Sequence, residues 1–385
     1  MQAVILAAGE GRRVRPLTLS RPKAMIPVAN RPIIGYVIDA LVKNGIRDIV
    51  VVVGYRREQV IRFLNEFDLP IKVVVQEKQL GTAHALRQAE PEISGDFIVL
   101  PGDNYIDAAS VASIRKYRAG ILVKEHPNPS NFGVVHLKDG YVESIVEKPE
   151  ANTGCTVSTG IYSLKKDFFS IINSNNTMTE AIAAMLHANQ QLQAVPADDW
   201  QDAIYPWDLL KMNARLLKRL TAVREGITSR QTTIQGAVRI GKGSVIGPNT
   251  VIMGPVVIGC NTTISPNCCI LPYTSIGSRV NIEPFTCIGN AIIMDDTTIG
   301  SHSRIIDTVI AERCQIGDHT STCTTEGVLT IEGVPSRAGF GAILGERVRS
   351  SPGTIFRNCI VGNNATIEGD HDLVTRIIDD NALVI

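Results

Sequence analysis

Apolar positions follow two different rules along this chain, and the change comes near residue 230. Up to about residue 125, short continuous apolar runs alternate with stretches of helical spacing. The runs are Ala3 to Leu6, Ile49 to Val53, Lys72 to Val75 and Phe97 to Leu100. Helical stretches lie near Ile33 to Asn44, Arg57 to Phe67 and Thr82 to Ala89. Continuous runs read as strands buried on both faces, so the pattern predicts a mostly parallel sheet with crossover helices. Residues 130–165 change to an antiparallel pattern, with Phe132 to Leu137 and Val142 to Val146 flanking a Lys138-Asp139-Gly140 turn. A basic helix around Leu209 to Val223 then leads into 224–231, which reads as a linker.

Beyond it, isoleucine occupies positions 234, 240, 246, 252, 258, 264, 270, 276, 282 and 288, every sixth residue without a break. Glycine follows directly at 241, 247, 259, 277 and 289. Hexapeptide periodicity predicts a left-handed parallel β-helix, with each isoleucine pointing into a narrow core. The phase slips after Ile288, partly recovers at Ile299 and Ile305, and returns at Ile343, Ile355, Val361 and Ile367. Residues 320–340 therefore read as an inserted loop or a reorganised coil. The expected domains are 1–223, a linker at 224–231, and 232–385.

A chain of 385 residues is too long for one ordinary core, which agrees with two domains. Lysine plus arginine and aspartate plus glutamate are 38 each. That balance argues against a general binder of nucleic acid or of an anionic membrane, and no run is long enough to span a bilayer. No secretory leader is evident, and the eight cysteines show no CxxC pair or metal-ligand spacing. They read as small buried residues of a reduced, cytoplasmic protein.

Local chemistry concentrates after the first strand. Glycines at 9 and 11 form a turn that lets backbone N–H groups approach a ligand, and Arg12, Arg13, Arg15, Arg21 and Lys23 follow with no acid between them. A glycine turn at a strand's carboxyl end with dense positive charge suits a polyphosphate. A dinucleotide fingerprint would need a glycine where Val14 stands, and the Walker pattern would need a Gly-Lys-Ser/Thr ending that is not there.

The stretch Leu6-Ala7-Ala8-Gly9-Glu10-Gly11-Arg12-Arg13, then Pro16-Leu17-Thr18, then Pro22-Lys23 through Pro27-Val28, resembles the signature of the sugar-1-phosphate nucleotidylyltransferases. Arg12 stands where that family carries serine or threonine. The resemblance implies an α/β Rossmann-like nucleotidyltransferase domain followed by the all-β helix of hexapeptide repeats. It implies transfer of a nucleotidyl group from UTP or dTTP to a sugar-1-phosphate, with Mg²⁺ as cofactor. Leu6, Ala7, Ala8, Gly9 and Gly11 would line the nucleotide, and Arg13 and Lys23 would be the catalytic cations on the triphosphate. Asp103, in Pro101-Gly102-Asp103-Asn104, matches the family's metal-binding aspartate. The second metal ligand would be Asp202, in Trp200-Gln201-Asp202-Ala203-Ile204, with Asp208 as its rival. Ile204 replaces the family's glycine there.

Gln76 and the segment Leu80 to Ala85, with Gly81 and Thr82, resemble the family's base-recognition element. As a local feature the same segment is a helix start with Thr82 as N-cap. Gly133, Glu147, Lys148, Ser158 and Gly160 fall on the family's sugar-phosphate elements, with Ser158 in place of the usual asparagine.

The nucleophile in such a transfer is already largely anionic near neutrality, since the second pKa of a phosphomonoester is about 6. Catalysis is then positioning and cationic stabilisation rather than base chemistry. Two-domain relatives of this kind suggest a homotrimer or a dimer of trimers, and some use the β-helix to acetylate an amino-sugar-1-phosphate with acetyl-CoA. His302 and His319 are the candidate bases for such a step, although the usual acetyltransferase segments are missing. A non-catalytic regulatory subunit is a further alternative.

Overall fold

The computed structural model describes residues 1–149, 154–172 and 175–385. Its contacts divide the chain into two compact units. One comprises Met1–Glu10, Ser20–Met25 and Pro32–Asp202, and the other Gly11–Leu19, Ile26–Arg31 and Ala203–Ile385.

The first unit is built on a nine-stranded mixed sheet. Its strands are β1 (Gln2–Ala7), β2 (Ile49–Val53), β3 (Ile71–Val75), β4 (Phe97–Pro101), β5 (Gly120–Glu125), β6 (Gly133–Lys138), β7 (Tyr141–Glu147), β8 (Thr156–Leu164) and β9 (Gln193–Pro196). They lie in the order β3-β2-β1-β4-β8-β5-β9-β7-β6. β3, β2, β1 and β4 run parallel, and β8 lies antiparallel between β4 and β5. The parallel half is where the apolar runs were continuous: Ile49 to Val53 are wholly buried, because helices cover both faces. Helix Ile33–Lys43 turns Ile34, Val37, Ile38 and Leu41 inward at helical spacing. β6 and β7 form the expected hairpin, and Asp139 (φ 51°) and Gly140 (φ 83°) supply the positive φ angles of its tight turn.

In the second unit, parallel strands stack into ladders that wind as a β-helix. Every isoleucine from Ile240 to Ile288 is at most 1% exposed, while Ile234, at the first coil, is only partly covered. Burying a side chain of this size contributes about 1.5–3 kcal/mol, so the column dominates the stability of the helix. The corners are satisfied by hydroxyls that the isoleucine pattern does not reveal. Thr262 Oγ1 donates to Gly277 O (2.8 Å) and accepts from Val280 N (3.2 Å), and Ser244 does the same one coil earlier.

The phase slip has a simple geometric cause. Partners along the ladders are 18 residues apart up to Cys287 and 17 apart from there to Arg304, one residue having been lost from a corner. The segment expected to be an insertion is an antiparallel hairpin, Thr325–Ile331 with Val334–Phe340.

Two boundaries differ from expectation. Residues 224–231 are already a coil rather than a linker: Val223–Arg224 pairs with Val238–Ile240, and Ile227–Thr228 with Val245–Ile246. Their backbone partners lie one turn ahead, which the period-six pattern could not show because Thr228, not an isoleucine, stands at the in-phase position opposite Ile246. The helix before this coil is shorter than read, Asp208–Leu217, and belongs with the β-helix unit. Its Asn213 is fully buried and accepts from Ala29 N (2.8 Å) and Ser275 Oγ (2.5 Å), while its Nδ2 donates to Tyr273 O (2.9 Å).

Candidate active site

In the first unit the carboxyl ends of β1 and β4 lie side by side, with Leu6 paired to Pro101. Gly102 N donates to Leu6 O at 2.8 Å. A Cβ on Gly102 would lie 3.0 Å from Ala7 Cβ and 3.2 Å from Leu6 O, so glycine lets the two strand ends close together. Ala7 and Ala8 are buried, Leu6 is half-buried, and Gly9 is exposed with open space where a side chain would be. Backbone at Gly9 is thus free to approach a ligand.

Asp103, Asp202 and Lys23 converge beside these strand ends. Strand Trp200–Asp202 pairs antiparallel with Asn104–Ile106, setting Asp202 opposite Asn104 and so next to Asp103. Lys23, only 6% exposed, reaches into the pair with Nζ 2.6 Å from Asp202 Oδ1 and 3.1 Å from Asp103 Oδ2. Burial alone would push the ammonium's pKa down. The two carboxylates outweigh it, and the net shift is upward. One cation held by two carboxylates leaves a net negative charge, the donor set that suits a hard divalent ion completed by phosphate oxygens and water. Asp208 is elsewhere employed: its carboxylate accepts from Tyr205 N (3.0 Å) in the first turn of its own helix.

Asn104 ties the loop to the bulge in β8, its Nδ2 donating to Thr159 O at 3.2 Å. In that bulge Gly160 takes φ 77°, and a Cβ there would lie 2.9 Å from Pro101. Ser158 Oγ accepts from Gly160 N (3.1 Å) and shares a hydrogen bond with Tyr162 Oη (3.1 Å). Burial pushes the Tyr162 phenol up to about 12, so the hydroxyl stays neutral at physiological pH. Ser158 thus helps shape the bulge, with one of its three hydrogen-bonding positions beyond these two bonds.

Glu147 and Lys148 sit at the end of β7 with Nζ and Oε1 3.3 Å apart, both about half exposed. Thr179 Oγ1 donates to Glu147 Oε2 (2.6 Å), and a Cβ placed on Gly133 would lie 3.5 Å from both of those oxygens.

Gln76 follows β3 and is 2% exposed. Its Nε2 lies 3.0 Å from Gly81 O and 2.8 Å from His84 Nδ1. Thr82 is not the N-cap expected of it. Gly81 holds that position with φ 136°, and Thr82 Oγ1 accepts from Met178 N (2.9 Å), clamping helix Thr82–Gln88 to the start of helix Met178–His187. Gly81 itself serves packing, since a Cβ would lie 2.3 Å from Asn176 O. His84 and Gly102 stand inside segments that the sequence singles out, but their contacts, like those of Gly54, are not readable from it. The glycines show their need only through contacts remote in sequence, as where a Cβ on Gly54 would meet Ala8 O at 2.8 Å.

Gly11 to Arg13, Pro16 to Thr18, Pro27 and Val28 of the signature belong to the second unit. Gly11 takes φ 81° ahead of the short turn Arg12–Val14, and Arg13 on that turn is half-buried. His302 and His319 stack face to face on successive corners (centroids 4.9 Å), with Phe285 continuing the column at 4.9 Å.

The parallel half of a mixed sheet with a glycine turn at its carboxyl end, two acidic strand ends and a buried lysine define a phosphate-handling transferase domain, here joined to a β-helix. The chain belongs to the nucleotidyl transferase family, whose model matches residues 2–219, and a model for the GMPPB C-terminal domain matches 252–378. It is 35% identical over 410 residues to the bifunctional protein GlmU of Methanococcus maripaludis, covering 100% of this chain and 99% of that one. It is 34% identical to the UTP–glucose-1-phosphate uridylyltransferase AglF of Haloferax volcanii, across 58% of this chain and all of that protein. Among solved structures it is similar to a Bacillus anthracis protein, provisionally assigned as a glucose-1-phosphate thymidylyltransferase and bound to a sucrose. The TM-score is 0.52 at 27% identity, covering 56% of this chain and 94% of that one. No helix among the described residues is long and apolar enough to cross a membrane.

Proposed function

We propose that this protein joins UTP or dTTP to a sugar-1-phosphate, forming an NDP-sugar and pyrophosphate. An oxygen of the sugar phosphate forms a bond to the α-phosphorus, the bond from that phosphorus to the bridging oxygen breaks, and pyrophosphate leaves with the electron pair. The observation that carries this reading is Lys23 buried between Asp103 and Asp202 at the ends of adjoining strands. Asp103 and Asp202 would hold Mg²⁺, which supplies charge neutralisation on the phosphates. Lys23 and Arg13 would bind the triphosphate and Gly9 would offer backbone to it. Glu147 would accept sugar hydroxyls, and Lys148 would meet the sugar phosphate. Eight free thiols suit a reducing, cytoplasmic location.

The test is pyrophosphate release from UTP or dTTP with Mg²⁺ and a panel of sugar-1-phosphates. Folded protein that stays silent across the panel would sink the proposal.

A second activity is favoured by one observation, the similarity along the whole chain to a relative named as bifunctional. In that reading the β-helix acetylates an amino-sugar-1-phosphate with acetyl-CoA, and His302 or His319 acts as base. Thiol release that depends on glucosamine- or galactosamine-1-phosphate supports it, and its absence removes it. The β-helix would also assemble a homotrimer or a dimer of trimers, and exposed Val245, Met253 and Phe285 on the repeat unit agree with a contact surface. Light scattering that gives a monomer overturns that assembly.

A further inference from the structure

We propose that His84 is a positioning residue that locks the Gln76 amide with its oxygen toward the base, so that the site takes uracil or thymine and refuses cytosine. This deepens the reading above and rests on Gln76 facing the base.

The argument begins with what each neighbour of the amide can do. Gly81 O lies 3.0 Å from one end of the Gln76 side chain, and a backbone carbonyl only accepts. The atom facing it is therefore the amide nitrogen. That nitrogen is also 2.8 Å from His84 Nδ1, so its second hydrogen goes there and Nδ1 accepts. An accepting Nδ1 places the imidazole proton on Nε2. Both amide hydrogens are now used inside the protein, and Oε1 is left as the acceptor for a ligand.

Uracil and thymine present an N3–H donor between two carbonyls. Cytosine presents N3 as an acceptor beside an exocyclic amine. An acceptor fixed in front of N3 pairs with the first two and opposes lone pairs with the third. A freely turning amide would serve either base, so the selectivity lies in the lock. Gly81 is one half of it and His84 the other. His84 is itself set by the start of helix Thr82–Gln88, where its N–H reaches Asn176 O at 3.3 Å. Gln76 is buried and its backbone N is bound to Val53 O at 2.8 Å, so the amide has little room to find another orientation once both partners hold it.

The experiment compares wild type, His84→Ala, His84→Asn and Gln76→Ala. Dissociation constants for UTP and CTP are measured by calorimetry, together with kcat/KM for each nucleotide. Asparagine carries Oδ1 at the branch where histidine carries Nδ1, so it keeps an acceptor while losing the ring. His84→Ala should lower the preference for UTP over CTP about fivefold, the loss of one orienting hydrogen bond, and His84→Asn should restore it. An unchanged preference in His84→Ala alongside a lost preference in Gln76→Ala overturns the lock and leaves the base reading standing. An unchanged preference in Gln76→Ala overturns the base reading itself. His84→Asn behaving like His84→Ala would mean that ring packing, not acceptance, is what matters, and overturns the lock as well. The ¹⁵N chemical shifts of the His84 imidazole give a readout independent of substrate: a proton on Nδ1 in the neutral ring refutes the proposal.

Discussion

Replacing Lys23 with methionine removes a charge while nearly keeping a buried volume, which makes it the sharpest probe of the acidic site. The ammonium lies 2.6 Å from Asp202 and 3.1 Å from Asp103. Deleting one member of a buried ion pair costs about 3–5 kcal/mol, because the other charge is left uncompensated. Here the Asp103 side chain is 36% exposed and the Asp202 side chain 19%, so solvent screens part of the cluster. The expected loss is nearer to about 1–3 kcal/mol. At roughly 2–4 °C per kcal/mol for a domain of this size, melting of the first unit should fall by roughly 2–12 °C.

The pH dependence of that difference follows from the direction of the Lys23 shift. The folded pKa is raised above the ordinary lysine value of 10.5. Its contribution is thus fully present below that value and is lost only as pH rises through the higher folded one. The destabilisation of Lys23→Met should stay constant around neutrality and shrink only in strong alkali. Without the ammonium the two carboxylates repel each other, and Mg²⁺ should stabilise the variant more than the wild type. A hundredfold excess over its dissociation constant returns about 2.7 kcal/mol. Thermal melts with and without Mg²⁺, at matched ionic strength, read both effects. A variant that melts with the wild type, or gains no more from Mg²⁺ than the wild type does, would refute this account of the site.

Asp202→Asn should lower pyrophosphate release by at least about 100-fold through lost charge stabilisation, whereas Asp208→Asn should cost only about 0.5–1 kcal/mol in a denaturant titration. Equal kinetic losses would show that proximity to Asp103 does not decide the role. Asn213→Ala strips three groups of their partner, of which Ser275 Oγ is fully buried, and should destabilise the β-helix unit by about 1–3 kcal/mol, read as a lower melting temperature. In thiol titration, exposed Cys155 and Cys260 should react first. Cys314, whose thiol burial pushes up to about 12, should react only on unfolding, and rapid labelling of it in native protein would contradict its place in the core.

Much of the site was legible because its chemistry is local in sequence. Gly9 and Lys23 lie within one short stretch, and Asp103 follows a recognisable buried strand. Asp202 against Asp208 could not be settled that way, since both are acids near a tryptophan. The pairing of Trp200–Asp202 with Asn104–Ile106 decides which of them meets Asp103. Ser158 is placed among the sugar contacts by position, and only the structure shows that its hydroxyl also bonds Gly160 N and Tyr162 Oη within the bulge. Thr82 looked like a cap, yet it bonds to a residue 96 positions away.

Local periodicity is enough to specify the class of each unit, because strand, helix and hexapeptide periods are properties of consecutive residues and survive any later packing. The isoleucine ladder specified a β-helix core without reference to anything outside it. Tertiary structure decided which acids converge on Lys23, which way the Gln76 amide faces, and that the coil begins at Val223. Each of these depends on partners far apart along the chain, brought together by strand register and hydrogen bonding, and no local pattern encodes that register.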